Sequence, residues 1–331
     1  MLALYINSTI RVAMGVLPAL FIERLKEIVP DTFIEDVLKS FQQEKEVVIR
    51  WNSLQANKDD FLNWLEQEQI RFKTIPWYSD AYIIPCDKRE VLSRSHWSDH
   101  GLIYFQNISS LFIPIVLQPQ QGETIIDLCA APGSKLSQIA MMTNDDADLI
   151  GNEPIRKRFY RMRSVLNLLG VKNVRLHMKD GRTWKAPYLA DKILVDAPCS
   201  SEGRFEWANK KSVKYWSLRK IKEMRHKQKG LLLNASRLLK PGGRLVYSTC
   251  TFAPEENEAV VSWFIKKTKG DFSLVPIDTR QLDQYPPLTS WKQRTFDPGI
   301  HHCARLLPNS VADAFFVASF IKKGYHTKFI N

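Results

Sequence analysis

The stretch TIIDLCAAPGSKLSQIAMMT, Thr124 to Thr143, decides the fold. Its first residues form a short apolar, β-branched run that reads as a strand ending at Asp127. Small residues follow, with Pro132 and Gly133 among them, and from Ser134 the apolar positions recur at helical spacing. A strand, a loop of small residues and a helix make the first half of a βαβ unit.

The chain beyond continues that alternation. DLIGN reads as a strand, RKRFYRMRSVLNLLG as a helix closed by Gly170, and NVRLHM and KILVDAP as two more strands. A long helix over 217–239, the strand GRLVYST, the helix EENEAVVSWFIKK and the late strand AFFVASFIK complete the series. Alternating strands and helices predict an α/β fold with a doubly wound, mostly parallel sheet. Upstream, apolar spacing from Leu17 to Phe41 predicts two helices broken at Pro30 and Asp31. EVVIRWNSL then reads as a strand, KDDFLNWLEQEQI as a helix and TIPWYSDAYII as a strand, a small α/β unit followed by the linker SRSHWSDHG. The expected division is 1–100 for this N-terminal part and 101–325 for the larger sheet.

In such a sheet a ligand sits beyond the carboxyl ends of the strands, where strand order reverses. DLCAAPGSK, Asp127 to Lys135, lies on that edge; its small residues admit a ligand to the backbone, and the helix it opens offers free N–H groups. Glu153, just past the second strand, stands where an acid binds ribose hydroxyls, and Asp180 follows the third strand. Together they point to a nucleoside cofactor. A loop shaped only by strand-to-helix packing has the same composition, and Asp180 with Gly181 is also an ordinary turn. One glycine where G-x-G-x-x-G has three argues against a nicotinamide dinucleotide.

Two more loops on that edge carry cysteines. ILVDAPCSSEG ends its strand at Asp196 and places Cys199 after Pro198, and LVYSTC ends at Cys250. Free cysteine is commonly buried and inert, the reading for Cys86, Cys129 and Cys303. Beside a carboxyl group and a nucleoside cofactor, a thiolate can instead add to an electron-poor ring while the acid binds the ring nitrogen that gathers charge. Pyrimidine C5 becomes nucleophilic once a group adds at C6.

The 331 residues hold 47 Lys plus Arg against 35 Asp plus Glu, a net charge of +12, which favours a polyanionic partner. The segment from Gly203 to Gly230 concentrates ten of these cations with Phe205, Trp207, Tyr215 and Trp216. Cations that follow phosphates and aromatics that stack on bases suit looped or single-stranded RNA. The same segment also fits a solvated helix face with a few core aromatics, and RKRFYRMR has the same ambiguity. Five cysteines without C-x-x-C spacing imply neither zinc nor a disulfide framework and fit a reducing cytoplasm. No stretch is long and apolar enough to span a membrane. The opening MLALYINSTIRVAMGVLPALF has some character of a secretion signal, but polar residues interrupt it, so a helical or poorly ordered terminus is expected.

DLCAAPGSK, LVDAPCSSEG and LVYSTCTFAPEENEAVV, in that order, resemble the Nop/Sun family of S-adenosylmethionine-dependent RNA cytosine-C5 methyltransferases. The likeness extends to GLIYFQNISSLFIPIVLQPQQGE and RLLPNSVADAFFVASF, covering about residues 17–323. It implies a class I methyltransferase with a seven-stranded, Rossmann-like sheet behind a small RRM-like RNA-binding domain. It also implies that Cys129, Ala130, Ala131, Pro132, Gly133, Ser134, Lys135, Glu153, Arg158, Asp180 and Asp196 hold S-adenosylmethionine or frame its pocket. By the same resemblance Cys250 attacks cytosine C6, Asp196 binds N3 and the exocyclic amine, Lys135 holds the base, and Cys199 assists release of a flipped cytosine. IRWNSL and IPWYSDAYII look most like the bacterial RsmF type, which acts on 16S ribosomal RNA and has a further C-terminal region. The chain stops soon after its last strand, so that region is expected to be missing and transfer RNA stays open as a substrate. The expected protein is a cytoplasmic monomer without metal.

Ser134 and Ser201 stand where many relatives have glycine, and Asn309 and Ala314 replace the usual His and Gly. An idle RNA-binding or ribosome-assembly factor is the alternative, but both cysteines and the acids of the site are present.

Overall fold

The structure, a computed structural model, describes residues 17–279 and 282–324; the expectation for the first 16 residues lies outside the described residues. Four strands, β1 (Val47–Trp51), β2 (Lys73–Ile75), β3 (Tyr78–Ile84) and β4 (Ile103–Phe105), form an antiparallel sheet in the order 2-3-1-4. Side chains alternate across it. Val47, Ile49, Tyr82, Ile84 and Ile103 pack on Phe61 and Leu65 of the helix Lys58–Gln67. Val48 and Ala81 face the opposite way, onto Ile108 and Leu111 of the helix Ile108–Leu117. Both faces of the small sheet are therefore covered.

Three details differ from the sequence reading. TIPWYSDAYII is a hairpin, with β2 and β3 turning at Pro76 and Trp77. The linker SRSHWSDHG contains a helical turn, His96–Asp99, whose cap Ser95 accepts from the Ser98 N–H, and Trp97 packs on Phe61 with ring centroids 5.1 Å apart. The small sheet also continues past residue 101, because β4 supplies its edge strand.

In the larger sheet β5 (Thr124–Asp127), β6 (Asp148–Asn152), β7 (Val174–His177), β8 (Ala190–Asp196) and β9 (Leu239–Thr249) run parallel in the order 7-6-5-8-9. Seven strands follow the expected plan; β10 (Phe272–Leu274) and β11 (Gln284–Tyr285) make nine. Those two are too short to show a period in sequence. After a hairpin of β12 (Ser290–Trp291) and β13 (Arg294–Thr295), β14 (Ala304–Leu306) and β15 (Phe315–Lys322) close the edge antiparallel, β15 lying against β9.

Alternate residues fill two cores. Ile126, Ile193, Val195 and Tyr247 meet the helices Leu218–Leu238 and Glu258–Lys267 on one face. Ile125, Leu149, Leu194 and Val246 meet Ile113, Leu136 and Met162, from three helices, on the other. Strand order reverses at β5, opening the crevice between the ends of β5 and β8.

The two N-terminal helices, Ala19–Ile28 and Asp31–Ser40, each begin directly after a proline. They pack over the loops that follow β8 and β9 rather than on the small sheet. The Phe21 ring lies 4.9 Å from Phe205 and 6.5 Å from Phe252, and Arg24 pairs with Glu255 at 2.7 Å. Phe21 is fully buried, so Phe21→Ala is expected to cost about 3–5 kcal/mol. A lower urea midpoint at unchanged slope would show it; an unmoved midpoint would mean that the helices are not anchored there.

Candidate active site

Parallel pairing of β8 with β9 sets Asp196 opposite Ser248. The two strands therefore end together, and the loops beyond them bring Cys199 Sγ within 3.2 Å of Cys250 Sγ. Backbone and buried carboxylates hold this approach. The Gly203 N–H donates to the Cys250 carbonyl at 3.0 Å. Glu202 accepts from Thr251 Oγ1, from the Phe252 N–H and from Trp216 Nε1, and Glu256 accepts from the Ser200 N–H and Gln228 Nε2. Burial raises the Glu256 carboxyl to about 8, despite these donors.

Asp196 makes two bonds, with Lys135 Nζ at 2.7 Å and Ser248 Oγ at 2.7 Å. Burial opposes its ionisation, but Lys135, Ser248 and Arg204 outweigh that cost and hold the carboxyl below the ordinary range. Deeper in the crevice, Asp127 accepts from the Cys129 N–H at 3.0 Å, and burial raises it to about 7. Glu153, buried at the end of β6, accepts from the Ile155 N–H and pairs with Arg158 at 3.0 Å. Arg158 also donates to the Ala131 carbonyl, which ties the acid to the loop after β5.

The cysteines share a proton unequally. The hydrogen bond from Cys199 lowers the Cys250 thiol first; burial opposes it, and the Arg204 charge and Ser201 add to the lowering. That same bond, with burial and the charge on Cys250, raises Cys199. Cys250 is thus the more readily ionised thiol of the pair. Cys303 is buried, and Cys86 and Cys129 are half-buried.

Cys250, Cys199, Asp196, Lys135, Glu153, Arg158, Asp180 and the loop residues Cys129, Ala130, Ala131, Pro132 and Ser134 line one cavity of about 750 Å³, a size suited to small ligands. Gly133 is not on its wall. Its φ of +106° and the 3.3 Å that would separate a Cβ from Leu166 make glycine a conformational requirement there. Ser201 takes the left-handed region at φ +60°, a conformation that glycine adopts more easily. Sequence reading missed Ser248, Glu256 and Gln228, whose burial and bonds are tertiary, and Tyr104 to Asn107, which reach the cavity from β4. Three of the four aromatics in the basic segment, Phe205, Trp207 and Trp216, belong to the cluster around the N-terminal helices; Tyr215 alone of them is widely exposed, at 75%. Phe205 is a core residue, and Trp207 and Trp216 are half-buried against the same cluster.

A doubly wound sheet with acids ending its central strands and a nucleoside-sized cavity at the switch point has the class I methyltransferase fold. The chain belongs to the 16S rRNA methyltransferase RsmB/F family, which it matches over residues 114–321, while residues 17–108 match the N-terminal domain of 16S rRNA methyltransferase RsmF. It is 35% identical to ribosomal RNA small subunit methyltransferase F of Vibrio vulnificus over 77% of its own length and 55% of that protein's. The chain thus spans about half the length of that relative. It is 34% identical to the tRNA (cytosine(49)-C(5))-methyltransferase of Pyrococcus abyssi, covering 83% of this chain and 87% of that one. A methyltransferase homolog protein from Pyrococcus horikoshii superposes with a TM-score of 0.81 at 28% identity, over 96% of this chain and 99% of that one.

With its thiol lowered, Cys250 is expected to react with iodoacetamide before the other four cysteines at pH 7. Its rate should rise with pH through a midpoint below the ordinary thiol value of about 8.5. Peptide mass spectrometry across a pH series checks this; equal labelling of Cys199 and Cys250 would contradict the unequal sharing.

Proposed function

We propose that this protein transfers a methyl group from S-adenosylmethionine to C5 of a cytosine in RNA, with 16S ribosomal RNA the leading substrate. The observation that carries the reading is the thiol pair at 3.2 Å beside the Lys135–Asp196 ion pair, in one cavity. The donor set fits the cofactor. Glu153 suits ribose hydroxyls, Ile155, exposed at the cavity wall, suits an apolar ring face, and Asp180, Asp127 and Asp196 suit a ligand carrying amino and sulfonium charge. When bound, S-adenosylmethionine supplies an electrophilic methyl group.

This chain's own residues prepare the base. Cys250, as thiolate, forms a bond to C6, and the electron pair displaced from the C5–C6 double bond makes C5 nucleophilic. Asp196, kept ionised by Lys135, accepts from the exocyclic amine, and the Lys135 ammonium places positive charge beside the edge where N3 gathers electrons. Once Cys250 has become a thioether, the bond and charge that raised Cys199 are gone. Cys199 can then ionise and take the C5 proton; the electrons return to the ring, the C6–S bond breaks and Cys250 leaves as thiolate.

The five free cysteines fit a reducing cytoplasm. Likeness to a transfer RNA enzyme along 87% of its length is the specific observation for a second substrate class.

Labelled methyl from S-adenosylmethionine should appear in RNA with the wild type and not with Cys250→Ala. Cys199→Ala should leave a covalent protein–RNA band on a denaturing gel. Full activity of Cys250→Ala would sink the assigned nucleophile. Bisulfite sequencing of RNA from cells with and without the gene should lose one site in small-subunit ribosomal RNA; loss in a transfer RNA selects the second class.

A further inference from the structure

Six cationic side chains line the cavity: Lys135, Arg158, Arg182, Arg204, Lys220 and Lys227. Four have a carboxylate within 3.0 Å, and Lys220 lies 3.7 Å from Glu223 on its own helix. Lys135 pairs with Asp196 at 2.7 Å, Arg158 with Glu153 at 3.0 Å, Arg182 with Asp180 at 2.6 Å and Lys227 with Glu223 at 2.7 Å.

Arg204 differs. Its Nε lies 3.7 Å from Asp313 Oδ2, beyond hydrogen-bond reach, and the other Asp313 oxygen is taken by Lys45. Among the described residues its side chain makes no hydrogen bond. A guanidinium presents a planar fork that matches phosphate, so this side chain is an anion site facing the cavity. Its place is set by the chemistry. Gly203, the residue before it, donates its N–H to the Cys250 carbonyl, so the arginine is anchored to the backbone of the nucleophile. The side chain is 53% exposed, at the boundary of cavity and solvent.

We propose that Arg204 binds the phosphate of the nucleotide whose base enters the cavity, clamping the flipped residue by its backbone while Asp196 reads its edge. This rests on the RNA methyl-transfer reading. A flipped nucleotide stays joined to its strand, so one of its phosphates lies at the cavity mouth. Lys135, Arg158, Arg182 and Lys227 are engaged with carboxylates and would have to give those up to bind it. Arg204 needs no such exchange.

The test is protection of Cys250 from iodoacetamide by cytidine, cytidine 3′-monophosphate and cytidine 5′-monophosphate. In the wild type one nucleotide should protect at concentrations about tenfold below the nucleoside, the size of a charge-assisted contact. Which one does so identifies the phosphate. In Arg204→Met that preference should vanish. Arg204→Lys, with a point charge but no fork, should fall between. Taking nucleotide over nucleoside within each variant cancels any change in thiol reactivity. A parallel titration with an RNA oligonucleotide should show the log–log salt dependence of binding fall by about one unit in Arg204→Met. A nucleotide preference retained in Arg204→Met, or none in the wild type, overturns the proposal. Failure of the methyl-transfer reading shows separately, as absence of labelled methyl in RNA with the wild type.

Discussion

The register of β8 against β9 is the constraint on which the site depends. With Asp196 opposite Ser248, two adjacent parallel strands end at one level, and short loops deliver a carboxylate and two thiols to the same point. A slip of one residue would turn Asp196 and Ser248 to opposite faces of the sheet and separate them. The register is specified from both sides, because Val195 and Tyr247 pack in one core and Leu194 and Val246 in the other. Thiol chemistry is thus set by apolar packing several residues away.

A register alone does not bring sulfur atoms to 3.2 Å. The loops are fastened by two buried glutamates, Glu202 and Glu256, each bonded to groups from more than one segment. Leaving such acids buried without partners would be costly, so each loop has one low-energy arrangement. The N-terminal helices close the assembly from outside through Phe21, Phe41 and Arg24. Segments remote in sequence therefore act on one short distance. The small sheet contributes through β4, whose end brings Tyr104 to the cavity wall, and through Arg50, whose fully buried guanidinium crosses to Ser137 on the helix that follows the loop after β5. With its second face covered in this way, the small sheet offers RNA no open stacking surface there.

The charge of the chain is divided between two uses. Around the cavity most cations are matched by carboxylates, which orders the side chains without much net field. On the helix Leu218–Leu238 and the turns before it, Lys210, Lys211, Lys214, Arg219 and Lys222 stay exposed, beside the crevice that this helix borders through Lys220 and Lys227. A polyanion drawn to those exposed lysines would meet the crevice next, and electrostatic attraction of that kind is screened by salt.

The alternation of strands and helices, the doubly wound sheet and the loops at its ligand edge are legible in the sequence because they rest on local period and on small residues at strand ends. Asp196, Cys199, Cys250 and Glu153 are legible for the same reason: each ends a strand whose apolar run announces it. The hairpin in TIPWYSDAYII, the capped turn in the linker and the short strands β10 and β11 are not, since their periods are too brief. Nor could composition show whether Phe205, Trp207 and Trp216 stack on bases or fill a core; that depended on Phe21, nearly two hundred positions upstream, coming to meet them. By itself the sequence determined the strand ends and the reactive groups placed there, because both are local. Only the tertiary structure decided which thiol ionises more readily, which carboxylate is paired and which arginine stands beside the nucleophile, because those follow from distances between segments that no local pattern encodes.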